Sequence, residues 1–311
     1  MAWKTTKAES FFLLTVQSYE TVRLTVIHFT IRPHILSPRS KSPLDLTSHV
    51  IRQSIYPIAY GGCSDIWKCT LKQDSQSREV AVKSIRPHIL GDDEMHTKWK
   101  LRQELKVWVP LKHENILPLL GVATGFGRFT ALVCPWMDNG TLTSYIEHNR
   151  ERLLLRDRLE LLRDSAAGLF YLHSHSIVHG DFTGYNILVS ASGRAQLADF
   201  GSSTINVESM ETSYWSSSTN SPGTPRWMAP EILTTHDDES STWVPTEQSD
   251  MYSFGSVMLQ VCSGEVPYAN LQRDAQVLLA LYQGRCWGDH GAKRPSAEEA
   301  LDFLQGELSL L

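Results

Sequence analysis

Between residues 50 and about 134, short β-branched and apolar runs such as Val80-Ala81-Val82 and Phe129-Thr130-Ala131-Leu132-Val133 alternate with turns, which predicts strands. A single charged stretch near 93–109 reads as a helix within this region. Beyond Gly140 the period changes: Leu155, Leu159, Leu162, Ala166, Leu169 and Leu172 recur every three or four residues, the signature of an amphipathic helix with one buried stripe. Phe254, Val257, Met258 and Val261 repeat that spacing, and a further helix is expected around 272–283. The pattern predicts an α+β protein with a small sheet carrying one main helix, followed by a helical half. Residues 1–44 stand apart as an N-terminal extension ending in Ser37-Pro38-Arg39-Ser40-Lys41-Ser42-Pro43, whose composition is that of a linker. The hexapeptide Ile-Arg-Pro-His-Ile-Leu occurs at 31–36 and at 85–90, too short a match for a repeat architecture.

Composition narrows the choice of function. A 311-residue chain with 41% hydrophobic content has ample material for a core. A formal charge of −5 and a pI near 6.2, with basic residues scattered, argue against nucleic-acid binding. The five cysteines form no Cys-x-x-Cys pair and are odd in number, as expected of a reduced cytoplasmic protein rather than a disulfide framework or zinc site. Residues 11–31 are apolar-rich but interrupted by Gln17, Glu20, Arg23 and His28, so neither a membrane span nor a targeting segment is expected.

Three separated motifs carry the chemistry: Val178-His179-Gly180-Asp181-Phe182-Thr183-Gly184-Tyr185-Asn186-Ile187-Leu188-Val189, Ala198-Asp199-Phe200-Gly201, and Gly223-Thr224-Pro225-Arg226-Trp227-Met228-Ala229-Pro230-Glu231. In this order they resemble the catalytic loop, metal-binding loop and activation-segment end of eukaryotic protein kinases, in the form found in tyrosine-kinase-like serine/threonine kinases. The resemblance covers residues 45–311. It implies a two-lobed fold with an N-lobe over about 45–136 and a C-lobe over about 137–311, and a nucleotide cleft between them.

Phosphoryl transfer needs the triphosphate held, its charge neutralised and a hydroxyl aimed in line. The resemblance implies a residue for each task. Lys83, closing Val80-Ala81-Val82-Lys83, would contact the α and β phosphates of ATP, and Glu104 would pair with it, with Glu94 as the competing candidate. Asp181 would accept or orient the proton of the protein substrate's hydroxyl. Asn186 and Asp199 would hold Mg²⁺, which prefers hard oxygen ligands. Ala59, Gly61, Gly62 and Ile66 stand in the Gly-rich loop, although Ala59 and Ser64 occupy positions where glycines are usual. Cys134 would be the gatekeeper beside adenine, Met137 the hinge residue, and Ala81 and Leu188 further nucleotide contacts. Glu231 is expected to pair with Arg294, and Asp250 resembles the helix-capping aspartate that braces the catalytic loop.

Several departures bear on this reading. Gly180 replaces the arginine that, in regulated kinases, pairs with a phosphorylated activation segment, so a non-RD kinase without that latch is expected. Thr183 replaces a lysine common two residues after the aspartate and can donate a hydrogen bond but no charge. The C-lobe looks shortened near Arg285-Cys286, which predicts that the stripe through Val277, Leu278 and Leu281 is partly without partners. With those departures, a catalytically weak, nucleotide-binding or scaffold protein of kinase shape stands as the alternative to an active serine/threonine kinase.

Overall fold

The computed structural model describes residues 42–60, 64–73, 76–86, 94–205, 224–233, 245–282 and 294–311. The N-terminal half is a twisted antiparallel sheet built from β1 (Val50–Arg52), β2 (Ala59–Tyr60), β3 (Ser64–Gln73), β4 (Gln76–Ile85), β5 (Gly121–Ala123) and β6 (Ala131–Pro135). Its order is β1-β3-β4-β6-β5, with β2 also paired to β3. Helix α1 (Glu94–Trp108) lies between β4 and β5 in the chain.

Strand register decides which side chains meet. Ile66, Lys83 and Leu132 form one rung, and Lys68, Ala81 and Cys134 the next rung on the same face. Trp67, Val82 and Val133 project from the opposite face because strand side chains alternate. That opposite face is sealed by a separate core in which Leu46, Leu71, Val80, Phe126 and Ala131 join Trp67 and Val82.

The C-terminal half holds α2 (Leu142–Asn149), α3 (Leu155–Ser174), β7 (Ile177–Val178), β8 (Ile187–Val189), β9 (Ala195–Leu197), β10 (Thr204–Ile205), α4 (Glu247–Ser263), α5 (Asp274–Tyr282) and α6 (Ala297–Ser309). β8 pairs with β9 and β10 with β7, both antiparallel. The stripe through Leu159, Leu162, Ala166, Leu169 and Leu172 is buried in a core shared with Phe254, Val257 and Val261 of α4, while Met258 packs against it partly buried. Leu155 departs from the expected stripe: it is 53% exposed, because it opens the first turn of α3. α4 is capped by Thr246, whose hydroxyl oxygen accepts the Ser249 amide at 3.1 Å, and ends at Gly264, which takes φ +77. The cap is therefore Thr246 rather than Asp250, which sits one turn into the helix.

The gap expected around α5 is closed at Val277 and Leu281, while Leu278 stays half-buried. Val277 and Leu281 are fully buried against Ala229 and Tyr252, with Leu271 and Tyr268 packed alongside. The segment end supplies the partners that the pattern of α5 alone could not reveal. Arg226 fastens the same region: its Nη1 donates to the carbonyls of Pro267 and Tyr268 at 3.0 and 2.9 Å, and its Nη2 to that of Leu271 at 2.8 Å. The Arg285-Cys286 seam itself lies outside the described residues, as do most of residues 1–44 and of the Ser/Thr-rich segment 202–224.

Candidate active site

Lys83 leaves β4 on the face opposite the Trp67 core and meets two carboxylates, Glu104 Oε1 at 3.0 Å and Asp199 Oδ1 at 2.8 Å. Glu104, 4% exposed, comes from α1. Glu94 does not compete for the lysine: it pairs with Lys98 at 2.5 Å, one turn on, and with Arg128. Burial opposes the Lys83 charge, but the Asp199 and Glu104 carboxylates outweigh it and its pKa is raised. Glu104 is pushed above the usual carboxylate range by desolvation, against the pull of Lys83. Desolvation also acts on Asp199, but the Lys83 ammonium holds its carboxyl below its ordinary value.

Asp199 sits at φ +61, ψ +77, a left-handed conformation that costs a non-glycine residue strain. The next residue holds it there. Phe200 is buried between Trp108 of α1 and His179, with ring centroids 5.6 and 5.7 Å away. The turn at Phe200–Ser202 follows at once, and Asp199 Oδ1 accepts the Gly201 amide at 3.4 Å.

The loop after β7 is braced from below. Asp250 Oδ2 accepts the His179 amide at 2.8 Å and Oδ1 the Gly180 amide at 3.0 Å. His173 of α3 adds a third contact, its Nε2 lying 3.0 Å from Asp250 Oδ2. Nothing in the sequence singles out His173; its contact with Asp250 does. His179 Nδ1 accepts the Asp181 amide at 3.3 Å, and its Nε2 lies 3.1 Å from the Ala198 carbonyl, an arrangement that selects the Nε2–H tautomer. Asn186 Nδ2 donates to the Asp181 carbonyl at 2.8 Å and to Asp181 Oδ2 at 2.9 Å, which turns its amide oxygen the other way. The Asn186 carbonyl in turn accepts the Ala198 amide at 2.8 Å, tying the catalytic loop to the strand that leads into Asp199.

Thr183 is buried, and its hydroxyl oxygen accepts the Tyr185 amide at 3.3 Å, so it serves the loop's own turn. Gly180 takes φ +78, and a Cβ there would stand 2.5 Å from the Ser202 carbonyl oxygen and 3.2 Å from Pro245 Cγ. Glycine is thus required by the backbone, beyond the missing guanidinium that the sequence suggests. The start of the activation segment is held by the β10–β7 pairing and by Ser203, whose hydroxyl donates to the His179 carbonyl at 3.0 Å.

On the nucleotide side, Ala81 and Cys134 share a rung with Lys68, and Ile66 stands one rung away beside Lys83. Ala59 pairs with Ile66, while Gly61 and Gly62 lie outside the described residues. Cys134 is buried, and desolvation raises its thiol to about 12, so it behaves as a small apolar side chain. The Met137 side chain is buried in the large core, and its carbonyl accepts the Gly140 amide at 3.0 Å. Leu188 lies on β8, opposite Gln196 and bridged to Thr141. Glu231 and Arg294 form a two-bond fork at 2.6 and 2.9 Å.

A family described as protein tyrosine and serine/threonine kinase matches residues 53–301. The chain belongs to this kinase family. Among relatives, the L-type lectin-domain containing receptor kinase I.7 of Arabidopsis thaliana is 32% identical over 253 residues, covering 80% of this chain and 34% of that protein. Serine/threonine-protein kinase CTR1 of the same plant is 31% identical over 73% of this chain and 28% of its own length. U-box domain-containing protein 70 of Oryza sativa subsp. japonica is 30% identical over 67% of this chain and 25% of its own. The chain thus spans from a quarter to a third of the length of these relatives. Among the described residues of the kinase, no helix is long and apolar enough to cross a membrane.

Proposed function

We propose that this kinase transfers the γ-phosphoryl group of ATP to a serine or threonine hydroxyl of a protein substrate, with Mg²⁺ as cofactor. The observation that carries the reading is the meeting of Lys83, Glu104 and Asp199, with the Asp181–Asn186 pair tied to the residue before Asp199 by the Ala198 amide. Lys83, fixed by Glu104, would hold the α and β phosphates. The Asp199 carboxylate and the Asn186 amide oxygen are hard donors of the kind Mg²⁺ takes, and both carry too few protein ligands to hold it without phosphates and water. When bound, the cation would neutralise charge on the phosphates. Asp181, oriented by the Asn186 amide, would accept the proton of the attacking hydroxyl. Ala59, Gly61, Gly62, Ile66, Ala81, Cys134, Met137 and Leu188 would enclose the nucleotide.

Serine/threonine specificity is supported by the CTR1 relative, a serine/threonine-protein kinase by name. Nothing in the described geometry favours the weakly catalytic scaffold reading. We assign the catalytic domain to residues 45–311, with 1–44 as its extension, and a cytoplasmic setting, supported by free thiols at Cys69, Cys134 and Cys262. The test pairs a nucleotide thermal-shift assay, with and without Mg²⁺, with phosphate transfer to a generic acceptor protein followed by phosphoamino-acid analysis. Mg²⁺-dependent nucleotide stabilisation with phosphoserine or phosphothreonine is expected. Nucleotide binding without turnover would return the scaffold reading.

A further inference from the structure

The family match begins at residue 53, yet residues 44–52 are built into the N-lobe. Val122 of β5 donates its amide to the Leu44 carbonyl at 2.8 Å, and its carbonyl accepts the Leu46 amide at 2.7 Å. These residues therefore lie along the outer edge of β5. Within a few residues the chain turns, the Val50 amide donating to the Leu46 carbonyl at 3.1 Å, and β1 pairs with β3 at the opposite end of the sheet. One short segment covers one edge of the sheet and supplies the other. Its anchor, Leu46, is 1% exposed. Gly121 makes the approach possible, since a Cβ there would overlap the Leu44 carbonyl and stand 2.9 Å from Leu46 Cδ1.

The same segment grips the turn between β5 and β6. Thr47 Oγ1 accepts the Thr124 amide at 3.0 Å. The Arg52 guanidinium donates to the Gly125 carbonyl and lies over two rings, 4.4 Å from the Trp67 centroid and 4.6 Å from that of Phe126. Two residues further on, Arg128 leaves this turn and pairs with Glu94 in the first turn of α1. Glu104 lies ten residues along that helix, about 15 Å at the helical rise, where it meets Lys83.

We infer that residues 44–52 are a positioning strap for the Lys83–Glu104 pair: they fix the 124–128 turn, and Arg128 on that turn steadies the first turn of the helix that delivers Glu104. This rests on the reading of Lys83 and Glu104 as the phosphate-holding pair. Arg128 and Glu94 are 56% and 43% exposed, so their pairing adds little to global stability. It biases the placement of α1 by a correspondingly small factor, about two- to fivefold.

The experiment uses the full chain and the variants Arg128→Ala, Arg128→Lys and Arg52→Ala. Amide hydrogen exchange across Glu94–Trp108 is followed beside kcat, KM for ATP and Tm. Arg128→Ala is expected to speed exchange in α1 and lower kcat about two- to fivefold, with exchange in α4 and Tm unchanged. Arg128→Lys is expected to restore both. Arg52→Ala is expected to reproduce the faster α1 exchange. If Arg52→Ala does not fold, Thr47→Val takes its place, since it removes only the bonds of one exposed hydroxyl. Unaltered α1 exchange in Arg128→Ala overturns the proposal, and so does an effect at Arg128 with none at Arg52 or Thr47. The exchange measurement needs no turnover, so a chain that proved inactive would refute the proposed activity while still deciding the strap.

Discussion

Asp250 Oδ1, on α4, accepts the main-chain amide of Gly180 at 3.0 Å. Asp250 therefore acts on the 179–186 loop through backbone amides. Truncating Asp250→Ala strips acceptors from the buried amide of His179 and the part-buried amide of Gly180, and removes the partner of His173 Nε2. A loss of about 3–5 kcal/mol is expected, because buried donors without partners keep their full desolvation cost. Urea unfolding of the variant checks the magnitude; a loss below about 1 kcal/mol would mean that water replaces the carboxylate.

Gly180→Arg is expected not to create a phosphorylation latch. The left-handed φ of +78 and the nearby Ser202 carbonyl penalise any side chain. A cost of about 2 kcal/mol or more follows, which for a domain of this size lowers Tm by roughly 4–8 °C. Thermal unfolding and phosphatase sensitivity measured together would decide, and a variant as stable as the parent that gained phosphate dependence would contradict the expectation.

Asp181→Asn is expected to keep nucleotide affinity while lowering phosphate transfer by about 10²–10⁴-fold, the usual span for a positioned general base. The amide can still accept from Asn186 but is a far weaker base. Lys83→Met is expected to lower turnover as well, since Glu104 and Asp199 then lose their common cation. Single-turnover rates beside nucleotide titrations separate the two effects; undiminished transfer in Asp181→Asn would assign the activity to another source.

His113 provides a pH test remote from the cleft. Burial lowers its pKa, against the opposing pull of Glu114 and Asp164, and its Nδ1 accepts the Asn115 amide at 3.1 Å. A depressed folded-state pKa means that the contribution is fully present above the unfolded value, near 6.5, and is lost as pH falls through the folded value. Between pH 7 and 5 the parent is expected to lose more stability than His113→Gln. Parallel pH profiles of the two would sink this reading.

The meeting of the candidate site residues was legible because phosphoryl transfer demands particular types at particular spacings. Lys83 and Glu104 lie 21 residues apart and Lys83 and Asp199 lie 116 apart, yet all three meet. What the sequence hid was mostly backbone geometry. The left-handed turn at Gly180 looks from the sequence like a lost arginine. Pairing of Leu44 and Leu46 with Val122 uses main-chain groups alone, and Gly121 is its one visible trace. Burial of Val277 and Leu281 depends on Ala229 and Tyr252, which no periodicity within α5 reveals. Leu155 fits the α3 period but falls on a first turn that reaches past its neighbours.

The three carbonyls held by Arg226 have a consequence for how this kinase fluctuates. One guanidinium joins the segment end at 224–233 to the loop between α4 and α5, so neither can open without releasing the hydrogen bonds of the other. Local unfolding proceeds in cooperative units that share such contacts. These two stretches, joined by hydrogen bonds between residues 41 to 45 apart in the chain, therefore belong to one such unit, and a peptide that shields the first will slow solvent exchange in the second without touching it.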